Sequence, residues 1–249
     1  MISARHPKPI LCAIAVGIAG AFASPVAAQE LSLSFGDGGS VAVTTVQLIA
    51  LLTILSIAPG IAIMVTCFPF MVTVLAILRQ AIGLQQSPPN MLMVSVALFL
   101  TFFVMEPIFL ASWEQGIQPL LNEEISNEVA FERGFQPFRE FMAAQIDPAT
   151  FDTMARLRSD LDLTEPTPET PLSILISTFM ISEIARAFQV GFLIFLPFLI
   201  IDLVVAAVLM SMGMMMVPPA IVSLPFKLAF FVVANGWALV AESLVRSYQ

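Results

Sequence analysis

Long apolar runs alternate with polar segments along most of this chain. Four hydrophobic blocks stand out, at residues 46–78, 91–108, 190–212 and 220–245. A helix that crosses a bilayer needs roughly 20 apolar residues, and most of these blocks approach or exceed that length. A mainly polar stretch, residues 112–171, separates the first two blocks from the last two. The pattern predicts an all-α membrane protein built from two hydrophobic helical hairpins.

Proline lies inside all four blocks. The first block is too long for one simple span, so we predict two helices or one kinked helix, with breaks at Pro59-Gly60 and at residues 67–70. The second block is expected to end at Glu106-Pro107. Lipid cannot satisfy the backbone of broken helices, whereas protein neighbours or a water-filled path can. The broken helices therefore predict an assembly in which these segments contact protein more than lipid.

The connector between the last two blocks is rich in methionine. Gly213, Pro218 and Pro219 bound it and are predicted to act as hinges, because glycine and proline interrupt helices. Methionine is flexible and polarizable and suits surfaces that must adapt, although the same residues could simply fill a core. The candidate residues are Met210, Met212, Met214, Met215 and Met216.

Charged residues occur within or beside the last two blocks. Asp202 lies near the middle of the third block and Lys227 lies early in the fourth. A charge inside a membrane costs several kcal/mol unless it faces protein or water, so both are functional candidates. Glu183 and Arg186 are three residues apart just before the third block. That spacing often reflects only a local helix contact, and a pairing across a subunit boundary is also open. Lys227 has two candidate partners, Glu183 and Asp202.

The central region has a different character from the blocks. Residues 112–171 contain twelve acidic residues and four arginines, and residues 164–171 resemble an extended linker. Aromatic and apolar residues recur there at helical spacing, which predicts amphipathic helices with a small core. These residues are Phe131, Phe135, Phe138, Phe141 and Met142.

The N-terminus has the organisation of a secretory signal peptide. Arg5 and Lys8 precede a short apolar core, and Val26-Ala27-Ala28 provides small residues for cleavage. We predict a mature chain that begins after residue 28, the alternative being a retained signal anchor. Because four blocks follow, cleavage would place both termini and the acidic region in the periplasm.

Composition supports a membrane protein and excludes several other classes. The 249 residues are 58% hydrophobic and 11% charged, with mean hydropathy +0.93, whereas soluble domains average about 25% charged. The net charge of −8 gives no reason to expect nucleic acid.

No metal-ligand spacing, nucleotide loop or nucleophile motif is recognisable, so neither an enzyme nor a cofactor is predicted. Broken helices also fit a secondary transporter or channel for small solutes, but such a site would show converging polar groups rather than methionines.

Two long stretches resemble one family. RQAIGLQQSPPNMLMVSVALFLTFF (residues 79–103) and AFQVGFLIFLPFLIIDLVVAAVLMSMGMMMVPPAIVSLPFKL (residues 187–228) are similar to the FliP family of flagellar type III secretion, which is related to the SctR subunits of injectisomes. The resemblance covers about residues 48–247 and is weaker in the acidic region. The signal peptide and the sizeable acidic region favour the flagellar branch.

The resemblance implies a specific role. Members of this family are pore-forming subunits of the protein export gate in the inner membrane and the flagellar basal body. They form a pentameric helical ring with FliQ and FliR, onto which FlhB wraps and beside which FlhA-type subunits act. Unfolded substrates pass through the channel, and membrane lipids surround part of the assembly. The family's methionine loop maps onto Met214, Met215 and Met216, and its inter-subunit charges map onto Glu183, Asp202 and Lys227, with Arg186 displaced.

Three departures from the family pattern put individual contacts in doubt. Pro69-Phe70 replaces a usual Thr-Arg pair, Ala185 takes the place of a basic residue that is displaced to Arg186, and Asn235 replaces a common acid.

We predict that the chain divides into five regions. They are a signal peptide (1–28), a flexible leader (29–45), a first hydrophobic hairpin (46–111), an acidic periplasmic helical domain (112–171), and a second hydrophobic hairpin with the methionine loop (172–249).

Overall fold

The structure is a computed structural model that describes residues 41–84, 88–158, 165–214 and 216–248. The predicted signal peptide, most of the predicted leader and Met215 lie outside these ranges. Within them the regular elements are helices and no strand occurs, as the all-α prediction requires. The chain divides into two units, Met1–Thr53 and Ile54–Gln249, and the packing described below belongs to the second unit.

The first two helices correct the predicted positions of the breaks. Helix α1 spans Val41–Met64, so it begins before residue 46 and continues through Pro59-Gly60. Of the two alternatives, two separate helices around Pro59-Gly60 are wrong and one helix through Pro59 holds, because apolar surroundings offer the neighbouring backbone groups no better partners than the helix itself. The chain turns only at residues 65–67, and α2 follows at Phe68–Ile82. Gly83 ends α2 in the left-handed conformation, with φ +90°.

The second hydrophobic block is also longer than predicted. Helix α3 spans Asn90–Ser112 and runs on through Pro107, so the predicted end at Glu106-Pro107 is wrong. A π-helical segment, Trp113–Ile117, and the short helix α4, Gln118–Leu121, continue it without a break. Gly116 in the π-helical segment permits close packing, because a Cβ there would lie 2.6 Å from the Cα of Gly134.

The acidic region is helical, as predicted. Helix α5 spans Asn127–Gln145 and α6 spans Pro148–Arg156. Ser126 caps α5 by accepting a hydrogen bond from the Val129 N–H, and Asp147 caps α6 in the same way through Thr150. Phe135 stacks on both Phe131 and Phe138, which places the predicted aromatic stripe on one face of α5.

The last three helices form the second hydrophobic region. Helix α7, Leu172–Ser211, is a single helix of 40 residues that passes through Pro197. Helix α8 spans Pro219–Val233 and α9 spans Gly236–Arg246, and the two meet at a bend of 63°. This pair is a broken helix of the predicted kind, and its bend lies at Ala234 and Asn235.

Two hydrophobic cores share α7. The larger combines α2 and α3 with the second half of α7 and with residues from α8 and α9, including Phe198 and Phe231. The smaller combines the acidic region's Met142 and Phe151 with Phe179 in the first half of α7. By length and composition, three of the described helices can each cross a membrane, or four if the bent pair forms one span.

Candidate functional site: the hairpin of α7 and α8

The methionine connector forms the tip of a helical hairpin. Helix α7 ends at Ser211, Met212 follows as its C-cap, and Gly213 adopts φ +75°, a conformation that side chains with a Cβ rarely take. The Met214 N–H then donates to the Leu209 carbonyl at 3.0 Å, which closes the helix end.

The described methionines of the tip are exposed. Met216 is 98% exposed, whereas Met214 is the most covered, at 38%. Met210 lies in the last turn of α7 and Met212 at its end, and both are also exposed. Pro218 caps α8 and Pro219 opens it, so the prolines stand where the chain re-enters helix. The tip is therefore a short apolar loop without a hydrophobic core of its own.

An ion pair joins the two arms of the hairpin below the tip. The Lys227 Nζ lies 2.6 Å from Asp202 Oδ2 and donates to the Ala81 carbonyl at 3.1 Å. The Ser223 hydroxyl donates to the other Asp202 oxygen at 2.5 Å. Lys227 is buried and Asp202 is partly buried. The cluster therefore fixes α8 against both α7 and the end of α2.

A second charged cluster lies further back along α7. Arg186 lies 3.2 Å from the fully buried Glu183 and donates to Gln145 of α5 at 2.6 Å. The Tyr248 hydroxyl donates to Glu183, and burial raises the pKa of this phenol well above its usual range, so it remains a donor. The Arg186 guanidinium also lies over two rings, 4.7 Å from the Phe70 centroid and 4.3 Å from that of Tyr248.

All four predicted charges thus find partners within one chain. Lys227 pairs with Asp202, one of the two partners that the sequence allowed, and Glu183 pairs with Arg186. Their inter-subunit role stays a prediction. Sequence reasoning missed Ser223 and Tyr248. Ser223 stands four residues before Lys227 on the same helix face, a spacing that could have revealed it, whereas no sequence signal links Tyr248 to Glu183.

Two residues at which the resemblance put contacts in doubt, Phe70 and Arg186, meet in this second cluster. Phe70 is fully buried, and the Arg186 guanidinium lies over its ring. The aromatic face therefore supplies a partner for the guanidinium at this point.

One groove of the hairpin has no polar side chain among its described lining residues. It encloses about 570 Å³ between α7 and α8 and is lined by aliphatic, methionine and phenylalanine side chains, among them Ile201, Val205 and Phe226. A small polar solute would find no hydrogen-bonding partner there. Among the described residues, no three His, Cys, Asp or Glu side chains gather where they could hold a metal ion.

These features define an all-α membrane protein whose hairpin is fixed by buried charges and ends in an exposed apolar loop. Comparison with known proteins specifies the family. The FliP family model matches residues 51–244. The chain is 50% identical to the flagellar biosynthetic protein FliP of Caulobacter vibrioides over 240 residues, which cover 96% of this chain and 89% of that protein.

More distant relatives agree. Identity is 46% with the flagellar biosynthetic protein FliP of Bacillus subtilis over 208 residues, covering 82% of this chain and 92% of that protein. It is also 46% with the protein of the same name in Aquifex aeolicus over 222 residues, covering 88% and 91%. The chain belongs to the FliP family. The family predicted from the two motif stretches is confirmed, together with its assignment to flagellar biosynthesis, and the small-solute transporter is not favoured.

Proposed function

We propose that this chain is a pore-forming subunit of the flagellar protein export gate and conducts unfolded substrates across the inner membrane. The observation that carries the proposal is the tip of the hairpin, where described methionines stand exposed on a loop with no core function within the chain. Around a ring axis the same loop would recur in every copy. Apolar side chains would then meet at one constriction.

Such a constriction suits a gate for polypeptides. A hydrophobic ring blocks ions by excluding water, and unbranched thioethers shift to admit a passing chain. Met210, Met212, Met214, Met215 and Met216 would form this gasket, with Gly213, Pro218 and Pro219 as its hinges. The Lys227–Asp202 pair would hold the loop in position from below. The role is passage rather than catalysis.

Membership of the family and the uncovered apolar surface support the partners that we propose. We propose a homopentamer that assembles with FliQ, FliR, FlhB and FlhA-type subunits. Large apolar side chains exposed on α1, α3, α7 and α8 support this proposal, since surfaces of that kind require lipid or protein cover. Asp202 and Arg186 retain side-chain exposures of 32% and 26% within the chain, which leaves both able to contact a neighbouring subunit as well.

The proposed location is the inner membrane and the flagellar basal body, with the five predicted regions as the division of the chain. The signal peptide would be removed after Ala28, and both termini and the acidic region would lie in the periplasm. Intact-mass analysis of the membrane-extracted protein tests this step, and a retained Met1 in the assembled protein would contradict it.

The gasket is tested by replacing Met214, Met215 and Met216 with glycine. We expect cells that express the whole gate to become permeable to ions and normally excluded small molecules, because glycine leaves the axis unfilled. Leucine at the same positions should preserve the seal and slow export, because leucine is branched and adapts less. Met91, an exposed methionine at the start of α3, replaced by glycine is the matched control. A glycine variant that assembles normally and stays tight would place the gate elsewhere.

A further inference from the structure

The outer face of α3 is apolar and rich in aromatic side chains, apart from one carboxylate. The inner face packs against the core through side chains about one helical turn apart. These are Met93, Ala97, Thr101 and Met105, all of them buried. The side chains that remain exposed are mostly large and apolar, among them Phe99, Phe102, Phe103, Phe109 and Leu110. Glu106 is exposed in their midst.

Glu106 lies deep within this apolar helix rather than at its end. It is the only charged residue between positions 90 and 113, and the helical stretch that can cross a membrane extends from Asn90 to Leu121. At 1.5 Å per residue, the 16 residues from Asn90 place Glu106 roughly 24 Å along the helix, within a hydrocarbon layer about 30 Å thick. Lysine and arginine can reach the interface from inside the layer because their side chains are long, whereas glutamate is shorter.

No described residue neutralises this carboxylate. Glu106 forms neither an ion pair nor a side-chain hydrogen bond with the described part of the chain. The only basic residues outside the described ranges belong to the predicted signal peptide. The two carboxylates of the long helix α7 are different, since Asp202 pairs with Lys227. Glu183 likewise pairs with Arg186, and each of these two carboxylates also accepts a hydrogen bond from a hydroxyl group.

A carboxylate exposed on an apolar helix face predicts a cationic partner in a neighbouring molecule. Charged side chains within membrane helices face other protein and pair there, because lipid does not compensate them. Aromatic side chains are enriched at protein interfaces, which fits the surroundings of Glu106. We propose that the outer face of α3 docks an apolar helix of a neighbouring subunit, and that this helix presents a lysine or an arginine to Glu106. The inference goes beyond the proposed conduit and rests on it only in requiring an assembly.

Charge reversal tests the pairing in cells that express the whole gate. Glu106→Lys should lower the recovery of the detergent-extracted complex on a native gel about tenfold, because two like charges would then meet in an apolar contact. Glu106→Gln should lower it less, since the amide keeps the size and one accepting oxygen. Glu132→Lys is the matched control and should assemble normally, because Glu132 is exposed on α5 with the polar residues Glu128 and Gln136 one turn away on either side.

The purified subunit separates assembly from folding. Because Glu106 has no partner within the described chain, Glu106→Gln and Glu106→Lys should both leave the thermal midpoint of unfolding in detergent unchanged. A clear fall of the midpoint in Glu106→Gln would assign the carboxylate to the fold of the subunit itself and would overturn the proposal.

Cross-linking identifies what covers this face. Benzoylphenylalanine in place of Phe103, one turn before Glu106 and 55% exposed, reacts with the molecule that lies on it. We expect an adduct with an apolar segment of a neighbouring subunit that contains a lysine or an arginine. Changing that basic residue to glutamate should restore the recovery of the Glu106→Lys complex.

Three results would each overturn the proposal. They are normal recovery of the Glu106→Lys complex, adducts with lipid alone or with a segment that has no basic residue, and failure of the reversed partner to restore the complex. None of them would bear on the proposed conduit, because the seal of the gate is measured separately by its permeability to ions and small molecules.

Discussion

At the scale of single residues, Lys227 connects three helices through one ammonium group. It lies on α8 and bonds to Asp202 of α7 and to the Ala81 carbonyl of α2. Removing one partner of a fully buried pair costs about 3–5 kcal/mol, and the cost here lies toward or below the lower end because water reaches part of the Asp202 carboxylate. We therefore expect Lys227→Ala to lower the thermal midpoint of unfolding and the recovery of the oligomer.

The control for Lys227→Ala is Arg246→Ala, since Arg246 forms an exposed pair with Glu242 on α9. Exposed pairs contribute about 0–1 kcal/mol, so this variant should behave almost like the parent. Exchanging the charges, with Lys227→Asp and Asp202→Lys together, should regain part of the loss. Normal oligomer yield from Lys227→Ala would show that the pair is dispensable.

Cys67 makes a second prediction at this scale. Burial raises the pKa of its thiol to about 12, so the thiol stays protonated at neutral pH. We expect no maleimide labelling of Cys67 in the folded protein at pH 8 and full labelling of Cys67 in denaturant. Because an unfolded thiol titrates near 9.0, this group leaves stability unchanged below that pH and lowers it as pH rises from there toward 12.

Thr153→Cys in a Cys67→Ser background is the positive control for labelling, since Thr153 is exposed on α6. Its cysteine should react rapidly in the folded protein. Rapid reaction of Cys67 itself in folded protein would contradict the described packing.

At the scale of elements, the close packing of the π-helical segment on α5 depends on glycine. A Cβ at Gly116 would lie 2.6 Å from Gly134 Cα and 2.7 Å from the Ala130 carbonyl oxygen, and neither backbone atom can shift easily. We expect Gly116→Ala to cost about 1–3 kcal/mol, as overpacking does. The midpoint of thermal or denaturant unfolding measures the effect.

Gly134→Ala offers a matched comparison in the same contact. A Cβ there would meet its nearest atom, Gly116 Cα, at 3.5 Å, an ordinary contact. Alanine also favours helix over glycine by about 1 kcal/mol, so this variant should be neutral or stabilising. Equal destabilisation by both substitutions would contradict the asymmetry of the packing.

The sequence was informative about helices and less so about their breaks. Length and hydropathy predicted the apolar helices, and Gly213 with Pro218 predicted the connector, because both residues disfavour helix interiors. Pro59, Pro107 and Pro197 did not break their helices, since apolar surroundings leave the flanking backbone no alternative partners. A helix-ending proline and a tolerated one look alike in the sequence.

Charge pairing was predictable only in part. The sequence identified Lys227 and Asp202 as candidates because charges in apolar runs are costly. It left both Asp202 and Glu183 as partners for Lys227, since residues 25 positions apart along the chain meet only through tertiary packing. Tyr248, near the end of the chain, could not be linked to Glu183 for the same reason.

At the scale of the whole molecule, the proposed topology gives a fourth prediction. In a Cys67→Ser background, Thr153→Cys on α6 should react with a membrane-impermeant maleimide in cells with an opened outer membrane. Gln80→Cys, at the exposed end of α2, should react only after the inner membrane is permeabilised. Labelling of Gln80→Cys alone in intact cells would place the acidic region in the cytoplasm.

Helix α7 has a consequence for the life of the subunit in the cell. Its 40 residues extend roughly 60 Å, about twice the hydrocarbon thickness of a bilayer. Tilting alone would need an angle of about 60°, beyond the 0–40° seen for membrane helices. Its first turns pack against the acidic region. The remainder is still longer than the hydrocarbon layer is thick, and its exposed side chains are too apolar to face water. In the proposed assembly, a newly inserted copy would leave this helix uncovered, as an orphan subunit, until its neighbours enclose it. Proteolytic quality control of such orphans would then match the abundance of this protein to the supply of its partners.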